Sequence, residues 1–310
     1  MRAAAIVGAV ALLVAGFAMG ASRASAGETM LRIGAIDAVL TTPADMARPP
    51  IALLIAGSGP TDRDGNGPQV RPDTLKKLSE GLVARGIATL RYDKRGAGGW
   101  KPEFGRIEDF RFKDFVDDVA TLVAYLRDGG RFSRIVVIGH SEGGLVAILG
   151  AVRIPMDRLV LLATTARRQG DLLKEQLARQ VPPQILKPIA DGIDAMMAGG
   201  IVDPPPPGLN IPPALQPSFA SAFKEDPIPP LKLIAQPILI AAGGRDRQVP
   251  RQDFDALRAA APTAETLWLP EMNHVLNDVD GEVDDLAAYN QPERPLNAKL
   301  IETIAGFVTR

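Results

Sequence analysis

Residues 135–145 read IVVIGHSEGGL, and the order of residue types in that stretch decides the fold. Ile135 to Ile138 are four branched apolar residues, the composition of a strand buried on both faces. Gly143, Gly144 and the apolar run Leu145 to Leu149 read as the start of a helix packed on that strand. Between them stands Ser141, with Gly139 and Gly143 two residues to either side. A chain reversing sharply there has no room for side chains at the two glycines, and the reversal would hold the serine hydroxyl clear of the sheet. In a chain with 30 glycines the bare GxSxG pattern is weak. Its position where a strand becomes a helix is what makes it specific.

The flanking sequence repeats the strand-then-helix order. Short apolar runs at Ile51 to Ala56, Ala88 to Tyr92, Leu159 to Leu162, Ile238 to Ala242 and Thr266 to Leu269 predict further buried strands. Helical periodicity predicts helices over 72–85, 107–126, 251–259 and 296–308, and the looser alternation from Leu31 to Leu40 predicts an early strand or hairpin. Strand and helix in alternation, with short connections, imply an α/β fold with a mostly parallel central sheet and helices on both faces.

One segment departs from this order. Between Pro182 and Pro237 lie 14 of the 27 prolines, and helical stretches at 169–180 and 184–197 are interrupted by PPPP at 204–207. A polar disordered insertion would not carry Leu173, Leu177, Ile189, Ile193, Met196 and Met197. Residues 166–236 are therefore expected to form a proline-rich cap insertion over the strand ends, with those apolar side chains facing a ligand.

The first 26 residues read differently again. Arg2, an apolar run from Ala3 to Met19, and ASRASA ending at Ala26 have the features of a cleaved secretory signal peptide, predicting an exported protein, periplasmic or secreted, with one domain over 27–310. The formal net charge is −1 and no basic cluster stands out, which disfavours a nucleic-acid partner. Stable membrane association is not expected of the mature chain. With no cysteine there is neither a thiol nucleophile nor a thiolate metal site, and no motif calls for a cofactor or a metal. The acidic run DVDGEVDD at 278–285 has its glycine misplaced for a calcium loop and reads as a solvated loop.

A serine hydroxyl becomes a useful nucleophile when a base takes its proton. The chain has two histidines. His140 is bound into the turn beside Ser141, which leaves His274, just past a predicted strand, as the base. A carboxylate should fix the imidazole. Asp246, after a two-glycine turn at the end of the strand 238–242, is preferred to Asp253, Asp203, Asp278 and Asp280. The order Ser141, Asp246, His274 is that of nucleophile-elbow hydrolases. The backbone N–H groups of Glu142 and Ser58 are the candidate oxyanion donors, the second because Gly57 and Gly59 let that loop turn inward.

Five motifs carry a resemblance: GSGPTDRD at 57–64, YDKRG at 92–96, GHSEGG at 139–144, GGRDRQVP at 243–250 and NHVL at 273–276. With them the chain resembles the α/β-hydrolase superfamily, and within it bacterial serine esterases, over most of residues 51–310. The resemblance implies a carboxylesterase acting on small-molecule esters with a modest acyl or alcohol group, with Ser141, Asp246 and His274 as the triad. Many relatives carry His before the oxyanion glycine, where this chain has Ala56. Peptidase or thioesterase activity would use the same triad, and a catalytically silent binding protein would keep the same fold. Asp62, Arg63, Asp64, Asp93 and Arg95 are expected to brace two loops beside the site as ion pairs rather than to touch substrate.

Overall fold

The computed structural model describes residues 27–44 and 46–310. The expected signal peptide lies outside the described residues. Among those that are described, no helix is long and apolar enough to cross a membrane.

Eight strands form one sheet: β1 (Gly27–Ile33), β2 (Ile36–Thr42), β3 (Ile51–Ile55), β4 (Ala88–Tyr92), β5 (Ile135–His140), β6 (Arg158–Leu162), β7 (Ile238–Gly243) and β8 (Glu265–Leu269). Their order is β1-β2-β4-β3-β5-β6-β7-β8. The early hairpin is β1 with β2, and β2 runs antiparallel to β4. Every pair from β4 to β8 is parallel. The fold is thus the α/β-hydrolase arrangement, a mostly parallel sheet closed at one edge by a hairpin.

Side chains alternate across each strand, so a continuous apolar run supplies two cores at once. Ile51, Leu53 and Ile55 face one layer, while Ala52, Leu54 and Ala56 face the other. The first layer is covered by α2 (Lys113–Asp128), α3 (Glu142–Ala151) and α8 (Arg251–Ala260), the second by α1 (Thr74–Val83) and α10 (Ala298–Thr309). Helix α2 begins six residues later than its periodicity predicts, because Ile107–Asp109 forms a separate 3-10 turn and Phe110 leaves the helical region. The acidic run 278–285 is a loop only in its first half. From Glu282 it becomes α9 (Glu282–Ala288), with three acids in its first turn, where the helix dipole favours them.

Between β6 and β7 the chain forms α4 (Gln169–Ala178), α5 (Pro183–Met197), α6 (Gln216–Phe223) and α7 (Ile228–Leu231). Ile189, Ile193, Met196, Leu209, Ile211 and Phe223 make a core belonging to this segment, with Leu173, Leu177 and Met197 packed against it. The segment is therefore a folded unit rather than a loose loop.

The sheet also fixes where chemistry can occur. The chain passes from β3 to β4 on one side and returns to β5 on the other, so the carboxyl ends of β3 and β5 bound the crevice where such sheets bind ligands.

Candidate active site

Ser141 follows β5 directly, at φ 55° and ψ −120°. A non-glycine residue in that region is strained, and the surroundings hold it there. Its N–H donates to the Leu162 carbonyl at 2.8 Å and its own carbonyl accepts from Gly144 N–H at 2.9 Å. A Cβ on Gly139 would come within 2.2 Å of the Gly143 carbonyl oxygen, and one on Gly143 within 2.4 Å of the Ile55 oxygen. The glycines are thus required by the close passage of strand, turn and helix, which is the physical content of the GxSxG pattern. Among the described residues the Ser141 hydroxyl makes no hydrogen bond.

Asp246 and His274 come from the turns after β7 and β8. His274 Nδ1–H donates to Asp246 Oδ2 at 2.8 Å, which fixes the tautomer and leaves Nε2 as an acceptor. The other oxygen, Oδ1, accepts from the N–H groups of Gln248 and Val249, both at 2.8 Å. Both side chains are buried. The two turns fit closely: a Cβ on Gly243 would lie 2.0 Å from the Met272 carbonyl oxygen, and one on Gly244 would lie 2.3 Å from that of Pro270. The His274 loop is tied down by Asn273, whose amide donates to the buried Asp285 carboxylate at 2.9 Å and accepts from Asn277 N–H at 3.0 Å.

His140 turns toward this pair rather than toward solvent. Its Nε2–H donates to the His274 carbonyl at 2.8 Å, and the two rings lie 5.0 Å apart. Burial, and then the neighbouring His274, hold its pKa down to about 4, so the ring stays neutral at ordinary pH. The competing carboxylates lie away from this pair, and two of them are engaged elsewhere. Asp253 bonds Thr165, Ala166 N–H and Arg167, and Asp278 accepts from Asn297. Asp280 lies in the loop that leads to α9, its N–H bonded to Asp284, and Asp203 is exposed.

Ser58 lies at the mouth of the crevice after β3, while Glu142 opens α3, where a helix leaves its first amides unpaired. Ser58 and Glu142 line the same cavity as Ser141. The cavity holds about 520 Å³, and its wall is largely apolar. Six aromatic rings contribute, from Trp100, Phe110, Phe112, Phe115, Phe219 and Phe223. Of the six apolar residues expected to face a ligand from the proline-rich segment, Leu173 alone lines it. The other five point into that segment's own core. The rest of the segment's contribution comes from Gln169, Leu172 and Gln176 of α4, from Leu215 and from α6, whose periodicity the prolines obscure.

Four of the five charged residues of the two adjacent loops form ion pairs, two of them with partners the sequence did not reveal. Arg63 holds Asp93, Arg95 holds Asp118 of α2 through two 2.8 Å bonds, and Asp64 is bonded by Arg91 of β4. Asp62 instead accepts the N–H groups of Asp64 and Asn66. Burial raises the Asp64 and Asp118 pKa values despite their arginines. Missed altogether was Lys94 of YDKRG, which is buried and bonds both Gly57 and Glu142.

Comparison with known proteins agrees with this architecture. An esterase of Thermotoga maritima, EstD, is 24% identical over 288 residues, spanning 91% of this chain and 68% of the relative. The 2-(acetamidomethylene)succinate hydrolase of Mesorhizobium japonicum is 23% identical over 269 residues, 80% of this chain and 94% of its own. Among solved structures, Est1E of Butyrivibrio proteoclasticus superposes with a TM-score of 0.56 at 17% identity, covering 91% of this chain and 98% of that one. Residues 69–287 match the alpha/beta hydrolase family as a whole. The chain belongs to the alpha/beta hydrolase family.

Proposed function

We propose that the protein is a carboxylesterase that works through an acyl-enzyme on Ser141. The observation that carries this reading is the 2.8 Å bond between His274 and Asp246 at strand ends beside a serine held at positive φ. Ser141 Oγ attacks the ester carbonyl, and the unprotonated Nε2 of His274 takes its proton. Asp246 stabilises the imidazolium that forms. The N–H groups of Ser58 and Glu142 receive the oxyanion, each worth about 3 kcal/mol of barrier. His274 then returns the proton to the leaving alcohol, and water enters by the reverse sequence to release the acid.

The cavity favours an apolar, ring-bearing or medium-chain acyl or alcohol group: 520 Å³ lined by aromatic rings suits a ligand of that size. An aminopeptidase would need a free carboxylate to hold the substrate ammonium. Glu142 is the one carboxylate that lines the cavity among the described residues, and Lys94 already neutralises it. Residues 166–236 serve in this reading as a cap that sets substrate choice, and residues 1–26 as an export signal. The test is hydrolysis of p-nitrophenyl esters of increasing chain length beside aminoacyl anilides, with Ser141→Ala as control. Esters should be cleaved and the variant should be inactive. Ester hydrolysis that survives the substitution, or faster anilide turnover, would overturn the proposal. N-terminal sequencing of protein recovered from a bacterial periplasm should begin at Gly27.

A further inference from the structure

The buried Lys94 has no part in the chemistry above, yet it bonds the Gly57 carbonyl, which shares a peptide with the Ser58 N–H, and the side chain of Glu142. It leaves the loop after β4 and is 2% exposed. Its ammonium donates to the Gly57 carbonyl at 2.8 Å and to Glu142 Oε1 at 2.5 Å, and it sits 4.4 Å from the centre of the Phe115 ring. Burying an ion pair gives little net stability, since desolvation offsets most of the attraction. Its placement therefore asks for another explanation.

The Gly57 carbonyl and the Ser58 N–H belong to one planar trans peptide, so they point in opposite directions. Anchoring the carbonyl on Lys94 sets the direction of the Ser58 N–H. Both loops turn through glycines close to this peptide: Gly59 and Gly96 adopt positive φ, at 80° and 92°. The same ammonium holds the side chain of Glu142, the residue that carries the second amide. It also cancels a carboxylate that would otherwise repel negative charge developing a few ångströms away. A charge-assisted bond to the carbonyl polarises the peptide and makes its N–H a stronger donor.

We propose that Lys94 is a positioning residue that sets and strengthens both oxyanion donors, Ser58 N–H through the Gly57 carbonyl and Glu142 N–H through its carboxylate. This rests on the esterase reading of the site. Lys94 touches no reacting atom, so its effect belongs to the transition state and not to ground-state binding.

The experiment compares wild type, Lys94→Met and the double variant Lys94→Met/Glu142→Gln with a p-nitrophenyl ester and with a trifluoromethyl ketone, whose hemiketal oxyanion needs the same donors. Lys94→Met should lose about 100-fold in kcat, with KM changed less than about threefold. Its affinity for the ketone should fall in parallel with kcat. The double variant leaves no unpaired buried charge and should keep the wild-type thermal midpoint, while kcat stays low because the Gly57 carbonyl still lacks its ammonium. Lys94→Met with wild-type kcat and ketone affinity would overturn the proposal, as would full kcat in the double variant. Failure of the esterase reading shows separately, as hydrolysis that persists in Ser141→Ala.

Discussion

The neutral, buried His140 makes a pH-dependent contribution to stability that can be isolated by one substitution. Its folded pKa lies at about 4, against an ordinary value of about 6.5 for an unfolded chain. Between those values the unfolded state binds a proton that the folded state refuses, so stability is lost as the pH falls through that window. A shift of this size corresponds to about 3 kcal/mol, of which about 2 kcal/mol should be lost between pH 7 and pH 4.5. His140→Gln removes the titrating group and leaves an amide able to donate to the same His274 carbonyl. Urea unfolding followed by tryptophan fluorescence at the two pH values gives the comparison. All other titrating groups are common to the two proteins, so the difference between their pH slopes belongs to residue 140. Wild type should lose about 2 kcal/mol more than the variant on acidification. Parallel slopes would refute the reasoning and mean that the ring is protonated in the folded protein or open to solvent.

Three other outcomes follow from the geometry. Asp246→Asn should lower kcat by about 10⁴-fold with little change in KM, because the amide favours the wrong imidazole tautomer; a loss under tenfold in steady-state assays would contradict that role. Gly143→Ala places a Cβ 2.4 Å from the Ile55 oxygen and 2.7 Å from that of Ala56, and should cost about 3 kcal/mol or leave no soluble protein; a wild-type melting curve would mean the elbow has room to spare. Phe219 is 42% exposed yet lines the cavity. Phe219→Ala should leave the melting temperature within a few degrees and raise KM several-fold for octanoate but not acetate esters, and equal KM changes would remove it from the acyl wall.

The sequence made the frame and the residues of the candidate site legible for a common reason: each is written in local residue order. The strand Ala88–Tyr92 was read to the residue, because a buried parallel strand is a short apolar run between turn signals. Ser141 was legible because two glycines and a strand-to-helix change are adjacent to it. His274 and Asp246 followed from the small number of histidines and from loops placed after strands. What was not legible depends on partners far apart in the chain. Lys94 meets Glu142 across 48 positions and Arg95 meets Asp118 across 23, and nothing local marks a loop lysine as buried. The acidic run is solvated along most of its length, as its charge implies, but three acids after Gly281 are also a helix start, and Asp285 is buried against Asn273.

The nucleophile is the point on which the mechanism stands, and covalent labelling tests it most directly. The mature protein is treated with a fluorophosphonate, its intact mass is measured, and the adduct is located by peptide mapping. The expected result is one adduct, on Ser141, absent from Ser141→Ala and formed far more slowly in His274→Ala. An unmodified Ser141 in a preparation that still hydrolyses esters, or an adduct on another residue, would contradict it.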